Sequence, residues 1–345
     1  MPKGRAEILL TSTSSTSTEL RGQPLPSTIR YQEGKFLNSR GQDLFYLAAF
    51  PKASDDSTTG KRTSSGVRAV VLFLHALGDH SRRYLFLYEL LCELGFGVIA
   101  YDFVSHGASD SCSQGVRAHT NRFRDFVDDT NDFVTFAKSS ILPQALQTSW
   151  ASSTPIVVSA YSYGTLVGMH TVLSRQHHFA GMCYIGPSLW IRLTPMLRLQ
   201  AALAGPLSTL FPKAHIVPAV KRHWLCRDPG YFEDFDNDPL TTNTQKVTAR
   251  MGSETLRAMR ALAIDPQVVR PNSAFSQIPT LFLIGSADRV VCQRKGSRFF
   301  DRLASRDKEV KVFHGLYHCL LEDPERDDVL RHLMQWLEQR FPKRE

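Results

Sequence analysis

Ile156-Val-Val-Ser-Ala160-Tyr-Ser162-Tyr-Gly164-Thr165 is the stretch on which the fold turns. A β-branched run leads straight into a serine, with alanine two residues before it and glycine two residues after. A strand that turns this tightly into a helix needs small residues at both flanking positions. A bulky Cβ there would strike the neighbouring strand or the following helix. The turn strains the backbone at Ser162 and lifts its hydroxyl clear of the sheet, within reach of a base. The same small-x-Ser-x-Gly pattern also arises in ordinary strand-turn-helix units, so alone it leaves both readings open.

Two later segments narrow the choice. Pro279-Thr-Leu-Phe-Leu-Ile-Gly285-Ser-Ala-Asp288 is a continuous apolar run, hence a buried parallel strand, ending in glycine and then an aspartate. Glu309-Val-Lys-Val-Phe313-His-Gly-Leu-Tyr-His318 reads as another strand followed by a loop histidine. The order Ser162, Asp288, His318 is that of the α/β-hydrolases. Each member stands just past the C-terminal end of a strand, where open α/β sheets gather their active sites. Serine is a poor nucleophile at its own pKa, so His318 would take its proton while Asp288 orients the imidazole. Singly, Asp288 reads equally as a helix cap and His318 as a loop residue. Together, and in this order, they read as a triad.

Val70-Val-Leu-Phe-Leu74 is a further apolar strand, running into His75-Ala-Leu-Gly-Asp-His80-Ser. That loop occupies the place that supplies one oxyanion donor, the other coming from the residue after the nucleophile. The expected donors are the backbone amides of Leu77 and Tyr163. His75 and His80 are read as structural, because no cysteine or carboxylate spacing around them makes a metal site.

The phrases His75-Ala-Leu-Gly-Asp-His-Ser-Arg-Arg-Tyr84, Gly95-Phe-Gly-Val-Ile-Ala-Tyr-Asp102, His106-Gly-Ala-Ser109 and Asp236-Asn-Asp-Pro-Leu240 resemble the monoacylglycerol lipase and lysophospholipase family. So do Gly285-Ser-Ala-Asp288-Arg and Tyr317-His318 with Glu322, and Glu33-Gly-Lys-Phe-Leu-Asn-Ser-Arg-Gly41-Gln-Asp-Leu-Phe45 is similar to that family's opening hairpin. The resemblance runs from about Tyr31 to Phe341. Its departures are Ala76 and Ala160 for glycine, Tyr161 for the histidine common before the serine, and Ser105 for glycine. None removes a catalytic group. It implies a serine carboxylester hydrolase cleaving the ester of a monoacylglycerol or lysophospholipid, with Asp79 and Arg83 near the glycerol end of the pocket. A thioesterase or peptidase on the same scaffold is the alternative enzyme. A catalytically silent, partner-binding member of the fold is the alternative from another class.

The alternation of apolar strands with amphipathic helices predicts an α/β-hydrolase fold, a mostly parallel doubly wound sheet with a helical cap inserted over the active site. Tyr84, Leu87, Tyr88 and Leu91 repeat at helical spacing, as do Phe123, Phe126, Val127, Phe133 and Val134. Leu330, Leu333, Leu337 and Phe341 form a third stripe, on a helix expected to start at Asp323-Pro324. Residues 1–28, rich in Ser and Thr, are expected to be a disordered tail ahead of one hydrolase domain over 29–345, with a mobile polar loop at 52–66. Six scattered cysteines without paired spacing suggest free thiols and a reducing compartment, hence a cytoplasmic protein, free or peripheral on a membrane or lipid droplet. No Gly-rich nucleotide loop appears, and no cofactor is expected.

Residues 188–276 fall between two sheet strands and are expected to form the cap. Leu189, Trp190, Ile191, Met196, Leu197 and Leu199 would line an acyl tunnel, with Arg192 and Arg198 meeting phosphate head groups. The alternative is that the cap simply packs on the hydrolase core. A formal charge of +8 favours contact with an anionic lipid surface. No basic helix or aromatic-basic platform points to nucleic acid.

Overall fold

Six short, mainly apolar runs and two segments rich in charged residues, Ile29–Leu37 and Lys308–Phe313, become the strands of one eight-stranded sheet. In chain order they are β1 (Ile29–Leu37), β2 (Asp43–Pro51), β3 (Val70–Leu74), β4 (Gly97–Tyr101), β5 (Ile156–Tyr161), β6 (Gly181–Ile185), β7 (Thr280–Gly285) and β8 (Lys308–Phe313). Their spatial order is β8-β7-β6-β5-β3-β4-β2-β1. Strands β3 to β8 are parallel, whereas β1 and β2 pair antiparallel and β2 joins β4 antiparallel. The computed structural model describes residues 28–52, 67–146, 153–190 and 203–343, with Ala201 and two short strand pairs. Those pairs, Glu19–Leu20 with Gln23–Pro24 and Ser54–Asp55 with Arg62–Thr63, fall within the expected tail and loop, most of which lies outside the described residues.

Strand periodicity sends successive side chains to opposite faces, and both faces are covered. Leu72, Ile99 and Val158 pack beneath α2 (Phe123–Phe136) and α3 (Tyr163–Ser174). Val71, Phe73 and Val157 pack beneath α1 (Leu85–Glu93) and the C-terminal helix Arg326–Arg340. All three helical stripes expected from the sequence face this core, with only Phe341 at its margin. Each fully buried Leu or Phe contributes about 1.5–3 kcal/mol. Gly95, at φ +86°, closes α1 and turns the chain into β4.

The C-terminal helix starts at Arg326 and not at Asp323-Pro324. The Asp323 carboxylate is committed elsewhere, accepting from the backbone N–H groups of Tyr317 (2.6 Å) and Arg227 (2.9 Å).

Between β6 and β7 lie α4 (Ala204–Leu210), α5 (Pro229–Asn237) and α6 (Ala249–Ile264). The short pair Val217–Pro218 with Lys246–Val247 ties this insertion together. Asp228 caps α5 through Gly230 N, and Thr248 caps α6 through Met251 N. Ile191, Arg192, Met196, Leu197, Arg198 and Leu199, expected in the tunnel and at head groups, lie outside the described residues. After β7, α7 (Gln293–Arg302) leads to β8, and the C-terminal helix is α8. The chain passes from β3 to β4 on one side and then to β5 on the other. The loops after β3 and β5 therefore part at the crevice where such sheets hold their ligands.

Candidate active site

Ser162 stands between β5 and α3 with φ +49° and ψ −116°, a conformation an L-residue rarely adopts. The surrounding structure imposes it. The Ser162 N–H donates to Ile185 O of β6 (2.9 Å), and Ser162 O accepts from Thr165 N and Oγ1 (3.0 and 2.6 Å). Gly164 must be glycine, because a Cβ would lie 2.4 Å from Leu74 O and 2.7 Å from His75 O.

Gly285 plays the matching part at the end of β7. A Cβ there would lie 2.3 Å from the carbonyls of both Leu316 and Tyr317, so the bare backbone lets the histidine loop pass. The three candidates from different segments converge. Ser162 Oγ is 2.8 Å from His318 Nε2, and His318 Nδ1 is 2.8 Å from Asp288 Oδ2. The other oxygen, Asp288 Oδ1, accepts from the amides of Val290 (2.7 Å) and Val291 (3.2 Å). With a carboxylate facing Nδ1, that nitrogen holds the proton, leaving the Nε2 lone pair to accept from the serine hydroxyl.

Leu77 and Tyr163, the expected oxyanion donors, both line the cavity above Ser162, and neither amide has an acceptor among the described residues. Tyr163 is the first residue of α3, so its N–H has no intrahelical partner. The cavity measures about 160 Å³, and its walls are mainly apolar side chains of the insertion, including Val217, Leu225, Phe232, Met251 and Met259.

Asp79 also lines this cavity, but its carboxylate is engaged by His80 N (2.8 Å), Tyr84 Oη (2.7 Å) and Arg83 Nε (3.1 Å). Arg83, expected beside it, sits outside the lining, paired to Asp79, Asp234 and Asp238. Leu189 and Trp190 likewise do not border the Ser162 cavity. They line a second one of about 330 Å³ beside β7, β8 and α7, where Trp190 packs against Phe299 with ring centroids 4.5 Å apart and planes tilted by 56°.

Burial pushes His75 down to about 3, so it stays neutral. Its Nδ1 donates to Ala76 O (2.7 Å) and its Nε2 accepts from Phe103 N (2.9 Å), a structural use of the ring. Among the described residues no cluster of His, Cys, Asp and Glu has the arrangement of a metal site. Asp102, another acid near the site, serves the Ser81 and Ala108 amides (2.8 Å each).

The pairing of Tyr161 with Glu322 escaped the sequence reading, which singled out both residues for other reasons. The hydroxyl of Tyr161, the residue before Ser162, donates to Glu322 Oε2. Burial pushes the Glu322 carboxyl up to about 8, outweighing the hydrogen bond from Tyr161. The native state thus keeps a proton that the unfolded chain loses near the ordinary value of 4.5. Stability from this group is full below that value and is lost as pH rises through about 8. Glu322→Gln is therefore expected to narrow the fall in melting temperature between pH 6 and pH 9. An unchanged fall in the variant would show that Glu322 is already ionised at neutral pH.

The chain is also similar to known proteins over most of its length. Residues 65–325 match the profile of the family described as serine aminopeptidase, S33. Human monoglyceride lipase is 28% identical over 319 residues, covering 91% of this chain and 93% of that protein. Phospholipase YtpA of Bacillus subtilis is 23% identical over 264 residues, 76% of this chain and 92% of that one. Among solved structures, the Paleococcus ferrophilus monoacylglycerol lipase superposes with a TM-score of 0.65 at 25% identity, covering 86% of this chain and 99% of that one. A soluble variant of Saccharomyces cerevisiae monoglyceride lipase, bound to a substrate analogue, shares the fold with a TM-score of 0.71 at 19% identity, covering 89% and 96%. By the extent of the profile match and the architecture of its sheet, the chain belongs to the serine aminopeptidase S33 family and has the α/β-hydrolase fold.

Proposed function

We propose that this protein is a serine carboxylester hydrolase acting on single-chain lipid esters, either monoacylglycerols or lysophospholipids. The observation that supports it most is the Ser162-His318-Asp288 chain of 2.8 Å contacts at the base of an apolar cavity. In this reading Ser162 Oγ attacks the ester carbonyl carbon as its proton passes to His318 Nε2. The carbonyl oxygen, now an oxyanion, is held by the amides of Leu77 and Tyr163. The C–O bond to the alcohol breaks as His318 returns the proton to the leaving oxygen. Water then repeats the cycle on the acyl-enzyme, freeing the fatty acid and restoring Ser162. Residues 188–276 act as the cap within one hydrolase domain, and their apolar walls desolvate the acyl chain.

The same insertion offers a membrane-facing edge. Leu210 and Phe211 are 70% and 58% exposed, on a segment whose flanks, Ala204 and Val217, border the cavity. Exposed Lys213 and Lys221 follow, and no acidic residue occurs between Asp132 and Asp228. Apolar side chains ringed by cations fit an anionic lipid surface. Among the described residues no helix is long and apolar enough to cross a membrane.

A panel of monoacylglycerols, lysophospholipids, butyrate esters and aminoacyl arylamides tests the assignment. Each buried methylene contributes about 0.8 kcal/mol, offset in part by ordering the chain. Twelve-carbon monoesters are expected to exceed butyrate esters in kcat/KM by at least about tenfold. Leu210→Asp with Phe211→Asp is expected to reduce sedimentation with anionic vesicles while sparing hydrolysis of soluble esters. Faster turnover of the arylamides would replace the lipid reading with the peptidase that the family's description names.

A further inference from the structure

We propose that Asp238, in the insertion, is a positioning residue for the oxyanion loop, holding the Leu77 amide at its working height above Ser162. The proposal rests on the reading of Leu77 as an oxyanion donor. Two sets of contacts tie loop 76–84 to residues 234–242.

The first is backbone to backbone. Gly78 O accepts from Thr242 N (2.8 Å), and Gly78 has φ +74°. A Cβ on Gly78 would lie 2.4 Å from Thr242 O, so the insertion presses on the residue next to the donor.

The second set is ionic. Asp238 Oδ2 is 3.0 Å from His80 Nε2 and 3.6 Å from Arg83 Nη1, and all three side chains are at most 6% exposed. Its other oxygen accepts from Leu240 N (3.0 Å), shaping the turn that delivers Thr242 to Gly78. A single carboxylate therefore sets both the turn on the insertion and the histidine on the loop. Arg83 continues the clasp to Asp234 Oδ2 (2.7 Å) and back to Asp79 on its own loop (3.1 Å).

The histidine makes the geometry demanding. With a carboxylate facing Nε2, that nitrogen donates, and the buried Nδ1 has no hydrogen-bond partner among the described residues. In Asp238→Asn the side-chain oxygen stays with the Leu240 amide, which turns the NH2 group toward His80. Two donors would then face each other. Shifting the ring proton to Nδ1 would leave a buried N–H without an acceptor. The loop is expected to relax away from the insertion, and a displacement of an ångström at a donor costs up to about 100-fold in rate.

The full-length protein is assayed with a soluble p-nitrophenyl ester and a fluorophosphonate probe, whose P=O must enter the oxyanion site. Asp238→Asn is expected to lower kcat by about 10- to 100-fold with KM held within about twofold, and to slow labelling by the same factor. Asp234→Asn, which removes the half-exposed partner of the same arginine, is expected to stay within about threefold of the parent. If Asp238→Asn does not fold, His80→Leu is expected to lower kcat in the same way, with His80→Gln recovering most of the loss because its amide still donates to Asp238. A folded Asp238→Asn protein with parental kcat and labelling rate overturns the proposal, as does a rise in KM at unchanged kcat or a His80→Gln protein no better than His80→Leu. A parent protein that the fluorophosphonate does not label overturns the serine hydrolase reading itself, whatever the variants do.

Discussion

Ser162→Ala is expected to abolish fluorophosphonate labelling and to lower ester hydrolysis by about 10⁴- to 10⁶-fold. The melting temperature should scarcely move. The substitution removes one partly exposed hydroxyl and its contact with His318, a hydrogen bond worth about 1 kcal/mol net. The backbone at φ +49° is equally strained with alanine, so no relief of strain offsets the loss. Labelling at a second position in the variant would transfer the nucleophile to that residue. Ser188 would be the first to inspect, since its Oγ lies 3.4 Å from that of Ser162.

Asp288→Asn is expected to cost about 10⁴-fold in kcat while preserving the fold. The direction follows from how the carboxylate is held. Asp288 Oδ1 accepts from Val290 N and Val291 N, so an asparagine would give its only oxygen to those amides. Its NH2 group would then face His318 Nδ1 and force the ring proton onto Nε2. In that tautomer the imidazole cannot take the proton from Ser162. Turnover close to that of the parent would mean that another acid orients the histidine, with Glu322 and Asp102 next to be tested.

The sheet and the placement of Ser162, Asp288 and His318 were legible because each stands at the end of a run whose periodicity is local. Val157 and Val158 need only their neighbours to read as strand, and Gly164 and Gly285 mark the close approaches that bring the loops together. Asp238 belonged to a phrase matched by resemblance, yet no role could be read for it, since its partner His80 lies 158 residues away. The state of Glu322 was illegible for a similar reason. It depends on burial beside Tyr161, which comes from a distant strand. Leu189 and Trp190 show a third kind of limit. Their apolar character suits a substrate tunnel and a packed interior equally, and only the position of Phe299 decides between them. The start of α8 was misplaced because Asp323 looks like a cap until Tyr317 and Arg227 are seen to occupy it.

The insertion is fastened to the rest of the chain at places besides its two ends, and the loop after β3 is one of them. Gly78, His80 and Arg83 precede it by more than a hundred residues, yet they meet Thr242, Asp234 and Asp238 inside it. In this chain the insertion is therefore not a self-contained cassette. A chimera that imports between β6 and β7 an insertion with no counterpart of Asp238 would leave the His80 ring and the Arg83 guanidinium without the buried carboxylate they share. The boundary of the transplantable unit therefore lies partly upstream, in the loop after β3, and changes on the two sides of that seam have to arise as matched pairs.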